Sequence, residues 1–376
     1  MQPKAARNIS IEALRLVAVA GIAVFHTFQW AFQAACAGMP EYAPLVAFPY
    51  SGVLGFINLL GCWANEVFFM ISGYFLIASA ARAWNDGAIW ASQMRRTVQR
   101  LGKVVLPTAF YCLVALAWST TVSPIPDVSL ATHYWYTLGL EFIWVYAATV
   151  CLAPLFGLAK GQLSQKSYAA TVIAVGILAF IANGYLAAMS SANGGEFSWL
   201  QKIMSAATYV VAFLIGGLLR DVTDSMGSGR ARALGSRSLI AVLAIAIILE
   251  GTLSFTGNLA AMATLSYKST SLISFVLAAA SLLFAATRHS TSSNPRVAGV
   301  IVTLSAATLG FYVMQSLTSS LWRPIFNAML ANILVAQSNP ASICIATGTV
   351  ISIVFALVLL VVDAVRSRVV HSLRQQ

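Results

Sequence analysis

Residues 12–26 of the chain, "EALRLVAVAGIAVFH", decide the fold class, because they are almost wholly apolar yet contain three ionisable side chains. Ala, Val, Leu and Ile fill most positions, as is typical of a helix that crosses a lipid bilayer. An arginine and a histidine are costly in such a helix unless a partner or a polar cavity receives them. The segment therefore predicts a membrane helix with one polar face.

The composition of the whole chain supports this prediction. Hydrophobic residues make up 59% of the 376 residues and charged residues only 9%, whereas soluble domains contain about 25% charged residues. Such a chain cannot cover its surface with polar side chains, so the surface must face lipid. We predict an all-α, polytopic membrane protein that forms a single domain over residues 1–376. Because Arg15 and His26 interrupt the first apolar stretch, we expect it to be a span and not a cleaved signal peptide.

Apolar runs predict ten transmembrane spans, each of the length needed to cross a bilayer. They lie at roughly residues 11–33, 57–81, 104–122, 134–158, 168–189, 203–219, 238–256, 270–287, 297–320 and 341–363. Residues 34–56 are also apolar, but glycines and prolines interrupt them. We interpret this segment as an outer loop or a re-entrant piece.

The basic residues fix an expected orientation. If the N-terminus is cytoplasmic, the loops predicted to lie outside contain only Lys202, Lys268 and Arg323 among the Lys and Arg residues. Cytoplasmic loops of membrane proteins are enriched in these residues. We therefore expect both termini inside, and the net charge of +11 needs no nucleic-acid partner. The five cysteines are scattered without metal-ligand spacing, so we interpret them as packing residues and predict no metal site.

Helical geometry relates the ionisable residues of the opening segment. Eleven residues at about 100° each make three turns plus about 20°, so Arg15 and His26 share a face, roughly 16 Å apart along the axis. Glu12 lies one turn before Arg15. Taken singly, Arg15 fits a side chain that extends to the interface, and His26 fits a hydrogen-bonded packing residue. Their alignment with Glu12 favours a polar cavity.

Two further stretches contain candidate site residues inside spans. The segment "NEVFFMISGYFL" (residues 65–76) places Glu66 near the outer end of its span, with Ser72 and Gly73 further in. Small residues at a helix crossing are the alternative interpretation. The segment "THYWYTLGLEFIWVY" (residues 132–146) fits an aromatic belt at the interface. Glu141, about two turns into that span, and Glu250, in the seventh span, are harder to explain and are candidates for function.

The longest basic segment is the loop "RAWNDGAIWASQMRRTVQRLGKVVLP" (residues 82–107). Arg96 and Arg100 are four residues apart, on one side of a predicted helix, and Arg95 and Lys103 flank them. Ordinary cytoplasmic charge explains this pattern. A docking site for a phosphorylated donor also explains it, because arginine makes bidentate contacts with phosphate oxygens.

Taken in order, these stretches resemble the acyltransferase-3 family of integral-membrane acyltransferases. The family begins with an acid, then Leu-Arg, then ten residues to a histidine, which Glu12, Arg15 and His26 match. Three later motifs are similar to the family's Phe-Phe-x-x-Ser-Gly-aromatic segment, its basic run before a proline, and its His-x-Trp-aromatic segment. The matching residues are Phe68, Phe69, Ser72 and Gly73; Arg95, Arg96, Arg100 and Lys103; and His133 and Trp135.

The chain departs from the family pattern at two positions. Leu16 follows the motif arginine where many members have glycine, and Gln315 stands in "GFYVMQ" where a late histidine is common. We also expect the protein to lack the hydrolase-like domain that some members carry outside the membrane. It therefore resembles the stand-alone O-acetyltransferase-like group.

The resemblance implies a function. The family transfers an acyl group, usually acetyl, from acyl-CoA to a hydroxyl of a sugar in a surface or secreted glycan. We expect acyl-CoA as a co-substrate, no permanently bound cofactor, a glycan or lipid-linked sugar as acceptor, and a place in the bacterial cytoplasmic membrane. His26 would be the general base or an acyl-accepting relay, and Arg15 would lie on the donor side. Glu66 and Ser72 would be further cavity residues.

Two other functions remain open on the sequence. A transporter of a lipid-linked sugar or small organic acid would also have ten spans and buried ionisable residues, but the chain shows no paired halves with matching broken helices. A non-catalytic scaffold in an envelope assembly would not require Arg15 and His26 on one face.

Overall fold

A computed structural model of the chain describes residues 8–126, 128–129, 140–192, 198–265, 271–288 and 294–373. Within these ranges the chain forms thirteen α-helices, one short 3-10 helix at Pro40–Leu45, and no strand. The α-helices are α1 (Ile9–Cys36), α2 (Tyr50–Asn85), α3 (Trp90–Thr121), α4 (Glu141–Gln162), α5 (Gln165–Ala192), α6 (Ser198–Ser225), α7 (Ser228–Phe255), α8 (Leu259–Leu265), α9 (Leu272–Thr287), α10 (Pro295–Ser305), α11 (Thr308–Leu317), α12 (Ser319–Ala336) and α13 (Pro340–Leu373).

Long apolar helices dominate the fold, which confirms the prediction of an all-α, polytopic membrane protein. In the described part of the chain, α1 to α7 and α13 are each long and apolar enough to cross a membrane, and the bent pair of α10 and α11 provides up to one more span. Helix α9 corresponds to the remaining predicted run but has only 16 residues. The sequence did not predict α12, because Arg323, Pro324 and two asparagines interrupt its apolar pattern.

The second helix begins earlier than the sequence indicated. The expected start was near residue 57, but α2 begins at Tyr50, directly after the 3-10 segment. Gly52 does not break this helix. It brings α2 against α7, where a Cβ on Gly52 would lie 3.1 Å from the Ser254 Cβ. The Ser51 and Ser254 hydroxyls share a 2.6 Å hydrogen bond beside it.

Helix α2 is the centre of the bundle. Of the 18 most apolar consecutive residues of α2, 72% are buried inside the protein. The corresponding fraction for α7 is 17%, and its exposed isoleucines face the lipid. At the crossing of α2 and α6 a Cβ on Gly73 would overlap the Phe213 carbonyl, and a Cβ on Gly216 would overlap the Met70 carbonyl. Glycines on both helices therefore let the two backbones touch, as is common in membrane helix pairs.

Contacts between helices define their directions. Ser352 Oγ donates to Thr27 Oγ1 at 2.8 Å, and Gly348, one turn earlier in α13, faces Phe28. The register makes α1 and α13 antiparallel. The start of α1 and the end of α13 therefore lie at the same end of the bundle. Which side of the membrane that end faces stays a prediction from the charges.

Candidate functional site

A cavity of about 370 Å³ lies between α1, α2, α3, α4 and the break between α10 and α11. Its volume falls in the range of small-molecule sites, about 300–1,000 Å³. The walls are mostly apolar and aromatic. Among the described residues that line it are three cations, Arg15, Arg100 and Lys103, and no acid. We call it the basic cavity.

Arg15 is held on the wall of the basic cavity by a buried acid. Its Nη1 donates to Glu12 Oε2 at 2.9 Å, and the same carboxylate oxygen accepts from Ser305 Oγ at 2.7 Å. The Asn8 side chain caps the N-terminus of α1 just before this pair. Arginine has five N–H donors, and the bond to Glu12 uses one of them. The arrangement therefore fixes a guanidinium that can still bind an anion.

The glycine-containing motif of α2 divides between cavity and packing. Phe68 and Ser72 line the basic cavity, where Ser72 Oγ lies 3.0 Å from the Tyr146 hydroxyl of α4. Phe69 is fully buried and stacks on Tyr209, with ring centroids 4.6 Å apart. Gly73 forms the crossing with α6. The motif therefore contributes Phe68 and Ser72 to the cavity wall and Gly73 to helix packing, and a functional role for the first two stays a prediction.

The basic residues of α3 also divide into two groups. Arg100 is half-buried, donates to Ser79 Oγ at 3.4 Å and lines the basic cavity together with Lys103. Arg95 and Arg96 are exposed near the start of α3 and do not line it. Only the second half of the predicted donor cluster therefore reaches the cavity.

His26 does not line the basic cavity. Ile22, one turn earlier on the same face of α1, does line it, so His26 lies about 6 Å further along the helix axis. The Nδ1 of His26 is 3.3 Å from the Arg323 Nη2 in α12, and its ring packs against Phe25. We expected Arg15 and His26 on one wall; the structure instead gives them different neighbours. From the sequence, we predicted Arg323 only as a charged residue of an outer loop.

The other predicted acids have varied surroundings. Glu66 and Glu250 are buried, and neither carboxyl has a hydrogen-bond partner among the described residues. Glu141 is exposed and is the first residue of α4, not two turns inside a helix as expected. A carboxylate is favourable at that position because of the helix dipole. His133 and Trp135 lie outside the described residues.

A buried cluster that the sequence analysis missed supports one wall of the basic cavity. Asp363 in α13 accepts hydrogen bonds from the Tyr111 hydroxyl and from Arg366 Nε, each at 2.7 Å. It packs directly on Gly310 of α11, whose neighbour Phe311 lines the cavity. The sequence feature that could have shown this cluster is Asp363 itself, an acid at the end of the last predicted span.

Among the described residues, no three His, Cys, Asp or Glu side chains converge as metal ligands would.

Comparison with known protein families gives a match over most of the chain. A family model described as an acyltransferase domain matches residues 8–361, which is nearly the whole chain and includes every described residue that lines the basic cavity. No curated protein and no solved structure matches the chain.

Proposed function

Because the chain belongs to the acyltransferase-3 family, and is therefore a membrane acyltransferase, we propose that it moves an acetyl or related acyl group from acyl-CoA to a hydroxyl of a surface or secreted glycan. The observation that carries this proposal is the basic cavity, in which three cations face an apolar chamber between membrane helices. The cell membrane of a bacterium is the proposed location.

The chemistry of the basic cavity suits an acyl-CoA donor. Arg100 and Lys103 are at the end of the cavity nearest the exposed basic turn of α3, where they could bind the phosphates of coenzyme A. Phe68, Ile22 and the aromatic wall are apolar and suit the thin pantetheine arm and the acyl group. Arg15 would stabilise the negative charge that develops on the thioester oxygen during attack.

His26 supplies the proton transfer in this proposal. The acceptor hydroxyl oxygen attacks the thioester carbonyl carbon, so a new ester C–O bond forms and the C–S bond breaks. The hydroxyl proton passes to the imidazole of His26 and then to the departing sulfur, which leaves as free CoA thiol. In a relay, His26 would first take the acyl group itself. Either route requires the acyl group to move one helical turn past Ile22.

The direct test uses the purified protein in lipid nanodiscs with acetyl-CoA and oligosaccharide acceptors. We expect acceptor-dependent release of free CoA, and a matching acetyl mass on the acceptor. His26→Ala and Arg15→Ala should each lower the rate about 10²- to 10⁴-fold. Lys166→Gln, an exposed cation away from the cavity, is the control and should keep the wild-type rate.

The same variants can be examined in cells by mass analysis of surface and secreted glycans, with and without the gene. A missing acyl mass in the deletion strain would identify both the acyl group and the acceptor. Full acylation in a His26→Ala strain with normal protein levels would contradict the proposal. Transport of a sugar without CoA release would favour the exporter alternative.

A further inference from the structure

We propose that Arg323 forms a second anion site, beside His26, that binds a carboxylate carried by one of the two substrates. This inference rests on the proposed function and adds the chemical class of the substrate. The carboxylate belongs either to an acidic sugar of the acceptor or to the far end of a dicarboxylic acyl group such as succinyl.

The first argument is the missing counter-ion. The described residues form four ion pairs, and each contains a different cation: Arg15, Lys160, Arg220 and Arg366. Arg323 is half-buried, yet no described carboxylate pairs with it. A guanidinium between membrane helices without an anion is unfavourable, and such residues generally mark a substrate pathway.

The second argument is unused hydrogen-bonding capacity. The Nε of Arg323 is buried and has no partner among the described residues. Gln315 of the adjoining helix α11 is 2% exposed, and its Nε2 donor is also without a partner there. Buried donors are almost always satisfied in native proteins. A carboxylate with two oxygens matches the planar fork of an arginine and accepts several such bonds.

The third argument is that Arg323 is held in place. Its guanidinium lies over the Trp322 ring, 5.5 Å from the ring centroid. The Trp322 indole N–H in turn donates to the backbone carbonyl of Gln315 at 3.0 Å. The other face of the site is His26, whose Nδ1 is 3.3 Å from Arg323 Nη2. A carboxylate that takes over this N–H group would also free Nδ1 to accept the hydroxyl proton.

The position of Arg323 separates it from the proposed donor phosphates. One turn earlier in α12, Ser320 Oγ donates to the Pro126 carbonyl at 3.4 Å, in the segment that follows the end of α3. The basic residues of the donor cluster lie in the first half of α3. Arg323 therefore lies near the C-terminal end of α3, and the donor cluster lies near its N-terminal end. Its anion is accordingly the acceptor or the acyl end, and not the phosphates of CoA.

The test compares wild type, Arg323→Gln, Arg323→Lys and the control Arg296→Gln, an exposed arginine at the start of α10. Each is assayed in nanodiscs with four substrate pairs: acetyl-CoA or succinyl-CoA, with a neutral glucose oligosaccharide or an oligogalacturonate. We expect wild type to favour a pair that carries a carboxylate outside the CoA. Arg323→Gln should lower the preference, which is the ratio of kcat/KM for that pair to kcat/KM for the neutral pair, about 10- to 100-fold. Arg323→Lys should retain part of the preference.

The pair that loses its preference identifies the source of the carboxylate: oligogalacturonate for the acceptor, succinyl-CoA for the acyl group. An equal loss for all four pairs would mean that Arg323 only supports His26, and would overturn the proposal. Unchanged rates, or a wild type that prefers the neutral pair, would overturn it as well.

A binding measurement separates this proposal from the proposed function. Galacturonate or succinate should raise the unfolding temperature of wild type and of Arg296→Gln but not of Arg323→Gln, and their methyl esters should have no effect. Stabilisation without CoA release from any pair would support the carboxylate site and contradict the acyltransfer. If neither acid stabilises the wild type and no pair that carries the extra carboxylate is favoured, the carboxylate site is wrong.

Discussion

Glu12 shows how a single residue makes a charge tolerable inside a membrane helix. It is only 8% exposed, and it joins Arg15 of its own helix to Ser305 at the end of α10. Removing one member of a fully buried pair leaves the other charge uncompensated, which typically costs about 3–5 kcal/mol. The cost is smaller here, because the Arg15 side chain is 27% exposed. Glu12 therefore links the position of Arg15 to the wall of the basic cavity formed by α10 and α11.

The division of the α3 cations gives a prediction at the residue scale. Arg100→Gln and Lys103→Gln should each raise the KM for acyl-CoA about tenfold, because each loses a charge-assisted hydrogen bond to a phosphate worth about 1.5–3 kcal/mol. Arg95→Gln and Arg96→Gln are matched controls on the same helix that do not line the cavity. Steady-state CoA release at varied acyl-CoA concentration measures the effect.

Equal increases in KM for all four variants would instead indicate general attraction by surface charge. In that case the difference in KM between each variant and wild type should shrink with added salt, because exposed charges are screened. A loss at Arg100 that persists in salt would support a specific contact.

At the scale of elements, the α2–α6 crossing determines how tightly the bundle closes. Gly73→Ala would place a methyl group into the Phe213 carbonyl, where backbone must move to make room. We expect a loss of about 1–3 kcal/mol in the free energy of unfolding, as in other overpacked cores. Gly184→Ala in α5 is the control, because no described residue comes within 4 Å of its added Cβ. Thermal unfolding of both variants in detergent measures the difference.

The control should unfold at the same temperature as wild type or higher, since alanine is favoured over glycine by about 0.5–1 kcal/mol inside a helix. If Gly73→Ala is as stable as Gly184→Ala, then the backbones of α2 and α6 are not in contact at this crossing.

The break between α10 and α11 is an element that the sequence did not predict. One span was expected over residues 297–320, but the two helices meet at a bend of 43°. Ser305, Ala306 and Thr308, at the bend, line the basic cavity. The Thr308 hydroxyl donates to the backbone carbonyl of Ser305 at 3.1 Å. This hydrogen bond satisfies a carbonyl oxygen at the bend, where the regular helical hydrogen bonds are interrupted. No proline or glycine marks this bend, so a local pattern could not have shown it.

At the scale of the whole molecule, two groups of ionisable residues lie at different depths along α1. Arg15, Arg100 and Lys103 surround one end of the site, and His26 with Arg323 lies about 16 Å from Arg15 along α1. This arrangement suits a reaction in which the donor binds from one side of the membrane and the acyl group leaves toward the other.

The orientation of the molecule is a separate prediction. Lys and Arg gather in the loops assigned to the cytoplasm, so a fluorescent protein fused after Gln376 should fluoresce. Alkaline phosphatase, which is active only outside the cytoplasm, should be active when fused after Pro40 and inactive when fused after Gly87. Activity after Gly87 but not after Pro40 would show the inverted topology and would put the basic cavity on the outer side.

The sequence by itself determined the helical membrane fold, the family and most of the candidate residues. These follow from composition, the period of 3.6 residues and short motifs, all of which are local along the chain. Only the tertiary structure separated His26 from the basic cavity, paired it with Arg323, divided the α3 cations and buried Asp363 against Gly310. The physical reason is that each of these depends on a contact between helices far apart in sequence, and the amino-acid pattern of one helix contains no information about which neighbour it meets.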